Sequence, residues 1–375
     1  MQIYYWCPYL TNVATINAVK RSAISLIKYS KKKIDVSILN SSGEWSFLKN
    51  NIFGIKIINL IKFSYHKYLP KEGLISSRFS FILIFILNFF PLLFLIKKNK
   101  PNYLIIQLLT LLPIILSPLL SKKTKIILRI SGLPEMTFFR KIIWKYFSKN
   151  IYLVTTPTKL TMENLVKNNI FDKNKIKILR DPIVSVREIN KKKKEKVDEN
   201  FNDNEFYVSI GRLTDQKNFE FLIDVFSKNI EKFKVKKLYI IGEGEKFNLL
   251  KKKIYEYKMQ NNIFLIGFKN NIYNILNYSS GLISTARFED PGFTLIESAF
   301  LRKTVISSLV KNGPMEMNNF GETGFFFEKN NENDFVKKIL DNENSNKFEK
   351  IKNAFKYSKN FSIFEHYKEL KKIVI

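Results

Sequence analysis

The chain has 375 residues, 45% hydrophobic and 26% charged, and its 63 Lys and Arg against 33 Asp and Glu give a formal net charge of +30. That apolar content excludes a disordered chain, and the length suffices for one large domain or two ordinary ones. The single cysteine, Cys7, excludes a disulfide-stapled scaffold, and two histidines, His66 and His366, leave little for multi-histidine zinc sites or His-based triads.

No basic leader opens the sequence. Residues 2–6, Gln-Ile-Tyr-Tyr-Trp, read as a strand, so a cytosolic chain is expected. Residues 17–29 carry helical spacing, and 34–39 and 55–60 are short β-type runs. Residues 103–107 follow Pro101, and 125–130 precede Gly132; both read as buried strands halted by breakers. Residues 152–155 run into Pro157, and a helix resumes over 161–168. Continuous apolar strands alternating with helices predict a parallel sheet covered on both faces.

Residues 79–96 interrupt this pattern with eighteen almost wholly apolar positions between Arg78 and Lys97-Lys98. The run just reaches membrane-spanning length. It also contains Ser80, Asn88 and Pro91, and a span would remove a helix that the first sheet needs. Three readings stay open: a transmembrane helix, a core helix, or a helix dipping into one leaflet with its basic flanks on the headgroups.

The Lys-rich stretch 191–196 and the Asp/Asn-rich residues up to 204 read as a solvated linker. Alternation then restarts, with strands at 206–210, 237–241, 263–266, 281–284 and 305–307, and helices at 219–227, 247–257 and 294–301. Two doubly wound domains facing a cleft are the expected architecture. Residues 1–190 hold 30 Lys+Arg and 8 Asp+Glu (net +22), while residues 191–375 hold 33 and 25 (net +8). A Lys-, Asn- and Ile-rich composition also arises from nucleotide bias in a coding genome. A basic half suits nucleic acid, lipid headgroups or phosphorylated substrates. No RNA-binding aromatic signature, zinc-finger spacing or basic zipper accompanies it, so nucleic acid is not expected.

Two stretches carry chemistry. In the first, residues 209–218 (Ser-Ile-Gly-Arg-Leu-Thr-Asp-Gln-Lys-Asn), a strand ends at Gly211, and Arg212 and Lys217 share the loop before a helix. A planar fork and a point charge there suit a diphosphate, although solvated loop cations look the same. In the second, residues 286–299, Glu289 and Glu297 stand eight apart around Pro291-Gly292, which opens a helix. The amides of Gly292, Phe293 and Thr294 would make an anion site at the helix start, and Glu297 could accept hydrogen bonds from sugar hydroxyls. The alternative is that both glutamates complement the helix dipole or face solvent.

Taken in this order, about seventy residues apart, the two stretches resemble the retaining family-four glycosyltransferases of the GT-B fold. That family carries a G-R-L-x-x-x-K loop, a glycine turn, a G-[FY] strand end and E-x7-E. Here these are Gly211 to Lys217, Gly242-Glu243-Gly244, Gly267-Phe268, and Glu289 to Glu297. The motif resemblance spans roughly 206–330.

The resemblance implies an α/β chain of two doubly wound Rossmann-like domains facing an inter-domain cleft. Residues 1–185 would form a membrane-facing acceptor domain, 186–204 the linker and 205–355 the nucleotide-sugar domain. Residues 356–375 would form a helix packing back on the first domain. Arg212 and Lys217 would hold and stabilise the leaving diphosphate, with the amides of Gly292, Phe293 and Thr294 in support. Glu297 would bind the ribose, and Glu289 would place the donor sugar's anomeric carbon, which makes Glu289, Arg212 and Lys217 the catalytic set. Gly211, Gly242, Gly244, Gly267 and Phe268 complete the donor site. The implied partners are a nucleotide-sugar (UDP first, GDP next), a glycan or lipid-linked glycan acceptor in surface-polysaccharide synthesis, and an anionic membrane at the cytoplasmic face. No metal and no cofactor is implied, and D-x-D is absent.

The sequence departs from the family pattern in its first half. Residues 8–15 lack the usual glycines, and no histidine lies near Arg129-Ile130-Ser131-Gly132. Asn12, Thr15, Arg129 and Ser131 are therefore the acceptor-side candidates. Asp290-Pro291 also replaces the usual aromatic before the motif glycine. These departures leave a second function class open: a non-catalytic GT-B module docking on a membrane or partner.

Overall fold

The computed structural model describes residues 1–375 apart from 12, 32, 49–53, 71–73, 133–135, 198–200 and 202–204. It divides into two compact units, Met1–Pro182 with Ile363–Ile375, and Ile183–Ser362.

The first unit carries strands β1 (Gln2–Trp6), β2 (Asp35–Asn40), β3 (Lys56–Asn59), β4 (Tyr103–Ile106), β5 (Lys125–Arg129), β6 (Ile151–Thr156) and β7 (Ile176–Ile178). They pair in the order β3-β2-β1-β4-β5-β6-β7, all parallel. In β1 the alternation of side chains sends Ile3 and Tyr5 to one core and Tyr4 and Trp6 to the other. Both faces are covered, so the strand reads as an unbroken apolar run.

The second unit carries β8 (Phe206–Ile210), β9 (Lys237–Ile241), β10 (Ile263–Leu265), β11 (Gly281–Ser284), β12 (Thr304–Ser308) and β13 (Phe325–Phe327). Its order is β10-β9-β8-β11-β12-β13, again parallel. Phe206 and Val208 face one core and Tyr207 the other. In both sheets the order reverses beside the first strand, between β1 and β4 and between β8 and β11. Chain crossovers leave in opposite directions there, which opens a crevice at the carboxyl ends of the strands. Two strands, β7 and β13, were not anticipated; each is three residues long, too short for a periodic signal.

Two boundaries need correction. The stretch 186–204 is not merely a linker: Val186–Lys192 is helical, Ile189 is fully buried, and Phe201 packs on Phe206 and Tyr239 at ring distances of 5.6 and 4.8 Å. Two isolated apolar anchors were hidden in a run of lysines. The tail that returns to the first unit begins at Ile363, not 356. Helix Phe348–Lys359 stays with the second unit, where Phe355 meets Phe300 at 5.6 Å.

The apolar run lies in helix Leu74–Asn99, of which Ser76–Asn99 is long and apolar enough to cross a membrane by length and composition. One face is packed: Ser80, Ile84, Asn88, Leu92 and Ile96 are buried, with Leu92 and Ile96 in the core against Tyr4 and Leu104. Two polar groups on that face have partners, Asn88 Nδ2 donating to the Tyr65 hydroxyl at 3.0 Å and Ser80 to the Pro70 carbonyl at 2.7 Å, while the buried Asn88 Oδ1 has none among the described residues. Phe79, Ile82, Ile86, Phe90 and Phe94 form an exposed apolar stripe on the other face. A helix sealed to the sheet along one face is therefore a wall of the first unit, not an isolated span.

Candidate active site

The loops after β8 and β11 meet at the switch point of the second sheet. Thr285 Oγ1 lies 3.1 Å from the carbonyl oxygens of both Lys217 and Asn218. The Arg287 amide donates to the Gln216 carbonyl at 2.8 Å, and Gln216 Nε2 to the Phe288 carbonyl at 3.1 Å. Lys217 and Glu289, 72 positions apart, form a half-buried ion pair. Their side chains are only 17% and 11% exposed, which places both where a charge retains strength. Lys217 folds back over Gly211, where a Cβ would come within 2.7 Å of its Cε. Arg212 is exposed, with no ion pair or hydrogen bond from its guanidinium among the described residues.

The glycine turn after β9 is explained by backbone contact. Gly242 has φ +149°, and a Cβ there would stand 1.9 Å from the Gly211 carbonyl oxygen; at Gly244 it would stand 2.5 Å from that of Leu213. The Leu213 amide donates to the Glu243 carbonyl at 2.9 Å, and the Gly242 amide to that of Gly267 at the same distance. The loops after β8, β9 and β10 are thus laced together, which brings Gly211, Gly242, Gly244 and Gly267 into one patch. Gly267, at φ +69°, has open space where a side chain would lie, and Phe268 is exposed beside it. Lys246 bonds to both Asp215 and Glu220, bracing the first of these loops. Its ammonium holds the Asp215 carboxyl below its ordinary range, and the two carboxylates raise Lys246 in turn.

Helix Phe293–Phe300 starts at Gly292, whose φ of +89° suits only glycine well. The first amides of a helix have no partner within it and carry partial positive charge, and no acidic residue occupies this first turn. Glu297, in the second turn, is 8% exposed and accepts a hydrogen bond from the Tyr273 hydroxyl at 2.8 Å. The loop after β12 supports the second glutamate motif. The Gly313 amide donates to the Glu289 carbonyl at 3.2 Å, Asn312 donates to Asp290 at 3.2 Å, and a Cβ on Gly313 would stand 1.9 Å from the Pro291 carbonyl oxygen.

The sequence reading did not anticipate Tyr273, Thr285, Arg287 or the Asn312-Gly313 turn. The Asn-Gly-Pro turn signal at 312–314 was available, while Tyr273 sits in an ordinary amphipathic pattern. The first unit brings a correction. Arg129 is 4% exposed and paired with buried Asp181, so it is a structural cation and not one turned to an acceptor. A guanidinium taken out of water needs a carboxylate, and Asp181 supplies it. Ser131 accepts from Gln107 at 3.1 Å, and Thr15 sits half-buried in the first turn of helix Ala14–Tyr29. Asn12 lies outside the described residues.

Residues 190–361, the part that holds these loops, match the family described as glycosyl transferases group 1. The similarity covers the second unit almost end to end. Among curated relatives, an uncharacterized glycosyltransferase of Methanocaldococcus jannaschii is 31% identical over 61% of this chain and 60% of its own length. The N-acetylgalactosamine-N,N'-diacetylbacillosaminyl-diphospho-undecaprenol 4-alpha-N-acetylgalactosaminyltransferase of Campylobacter jejuni is 26% identical over 69% of this chain and 68% of its own. The match thus spans only about three-fifths of the archaeal relative. Among solved structures, Anabaena HepE in complex with UDP superposes with a TM-score of 0.73 at 12% identity, covering 100% of this chain and 99% of that one. The two parallel-sheet units therefore have the GT-B fold.

Proposed function

We propose that the chain is a retaining family-four glycosyltransferase that moves a sugar from a nucleotide-sugar, UDP-linked first and GDP-linked next, to a lipid-linked or growing glycan of a surface polysaccharide. One observation carries the reading: Lys217 and Glu289, from loops 72 residues apart, pair at the switch point of the second sheet, in the loops that also hold Arg212 and Gly292. The relatives named as glycosyltransferases and the UDP in the HepE complex support it.

In this reading Arg212 and Lys217 take the charge of the departing diphosphate, joined by the amides of Phe293 and Thr294. Glu297, held by Tyr273, grips the ribose hydroxyls. The bond from the anomeric carbon to the phosphate oxygen breaks, and the acceptor oxygen bonds on the same face. The acceptor's proton leaves on the phosphate. Stabilising the separating charges is the main catalytic contribution, and two cations and a helix start perform it without a metal. Calorimetric titration with UDP and GDP should show binding that Arg212→Ala weakens about 10- to 100-fold, as loss of a charged contact requires. Equal affinity in variant and parent would end the assignment. Donor hydrolysis should be unchanged by EDTA.

For the first unit we propose peripheral attachment to the cytoplasmic face of an anionic membrane. The apolar stripe Phe79, Ile82, Ile86, Phe90 and Phe94 is exposed, and Arg78, Lys97 and Lys98 flank it. Such a helix lies in the interface with its cations on the headgroups.

A further inference from the structure

The first sheet has its own switch point, between β1 and β4, and a cavity of about 460 Å³ lies there. Trp6, the last residue of β1, and Leu109 and Leu111, from the loop and helix after β4, line it. Phe81 and Ile82 of the long helix and Trp144 of helix Phe138–Phe147 line it as well. The lining is apolar apart from Thr110, Thr137 and Arg140. Arg140 places its guanidinium 5.8 Å from the Trp144 ring, so the one cation stands at the aromatic side of the cavity. Glu135 is the only acidic residue between positions 73 and 162, whereas Lys141, Lys145 and Lys149 follow Arg140.

The backbone adds an independent sign. Leu108, next to the cavity, has φ +58°, a conformation that costs a leucine energy. It is kept by the Thr110 amide donating to the Leu108 carbonyl at 2.8 Å and by Trp6 Nε1 donating to that of Leu109 at 2.7 Å. Strain of this kind collects where a ligand is received. The strained turn leaves Leu108 and Leu111 39% and 43% exposed at the rim. A crevice at strand ends, apolar within and cationic at one side, fits an amphiphile with a hydrocarbon chain and an anionic head.

We propose that this cavity holds the first units of the lipid chain of a lipid-linked acceptor, with Arg140 on the adjoining phosphate. The inference rests on the glycosyltransferase reading and names the acceptor class for it. A bilayer lipid shares this chemistry, and the experiment separates the two sources.

Farnesyl phosphate is titrated into the full chain in solution, followed by tryptophan fluorescence, since Trp6 and Trp144 line the cavity and only Trp45 lies elsewhere. Farnesyl phosphate should bind at least tenfold more tightly than farnesol, with no response to inorganic phosphate. Leu111→Glu, at an exposed rim position, should weaken farnesyl phosphate at least tenfold. Arg140→Gln should bring farnesyl phosphate down to the affinity of farnesol. Equal binding of farnesyl phosphate and farnesol by the parent chain overturns the inference without recourse to any variant. So does a farnesyl phosphate titration unmoved by both variants when the same variants no longer sediment with phosphatidylglycerol vesicles, because the surface then reads the bilayer. UDP is titrated into the same samples. UDP binding without farnesyl phosphate binding overturns this inference alone; the reverse overturns the nucleotide-sugar reading and leaves the cavity assigned to a lipid phosphate.

Discussion

Glu289 stands in an ion pair with Lys217 before any ligand arrives, so the carboxylate presets the ammonium and also competes for it. Glu289→Gln should therefore hold or raise UDP affinity while lowering sugar transfer by about 10²- to 10³-fold, a split visible by comparing titration with turnover. Loss of both together would place Glu289 in nucleotide binding instead. Two glycines allow a second test. A methyl at Gly242 would run into the Gly211 carbonyl, whereas at Gly267 it meets nothing and only the positive φ opposes it. Gly242→Ala should cost about 1–3 kcal/mol or more by urea denaturation, and Gly267→Ala about 1 kcal/mol. The motif glycines were legible in the sequence. That Gly242 serves the packing of one loop on another was not, because the contact joins residues from different strands.

At the scale of the element, the two faces of helix Leu74–Asn99 make opposite predictions. Leu92 is fully buried, so Leu92→Ala should cost about 2–5 kcal/mol of unfolding free energy. Ile86 is 62% exposed, so Ile86→Asp should change stability by no more than about 0.5 kcal/mol yet reduce sedimentation with anionic vesicles. Unchanged sedimentation would remove this face from membrane contact. The sequence showed an apolar run but not its sides, since both faces are hydrophobic. Only the packing of Ser80 and Asn88 inward tells which face meets the sheet. The Lys-rich stretch 191–196 misled in the opposite sense, because charge outweighed Ile189 and Phe201, which anchor it.

For the molecule as a whole, helix Ile363–Val374 returns the chain to the first unit, where Tyr367, Leu370 and Ile373 join the core. Its fixed point is His366. Nδ1 donates to the Arg180 carbonyl at 2.6 Å, so Nε2 is the acceptor of a hydrogen bond from Ser22 at 2.7 Å, and Ser22 bonds to Tyr5 at 2.8 Å. Burial, with Arg129 nearby, pushes the imidazole down to about 3 from its ordinary 6.5. The unfolded chain therefore binds a proton between those values that the folded chain refuses. Stability is fully present above pH 6.5 and falls as the pH drops toward 3, by about 1.4 kcal/mol per unit at most from this group. His366→Gln should flatten that slope in denaturation curves taken at pH 4 to 7; an unchanged slope would exclude His366 as its source. Asp181 is the second such point: Asp181→Ala strands Arg129 in the core and should cost about 3–5 kcal/mol.

The sequence by itself determined the parallel α/β class, the strands whose two faces are both buried, and the motif spacings of the second unit. Each of these is written locally, in apolar runs, breakers and fixed spacings. The tertiary structure decided which residues meet: Lys217 with Glu289, Tyr273 with Glu297, Arg129 with Asp181, and Trp6 with Trp144 around one cavity. These partners lie 24 to 138 positions apart, beyond the reach of any local pattern. Strand order brings them together, and burial then selects the pairs that satisfy one another's charge and hydrogen bonds.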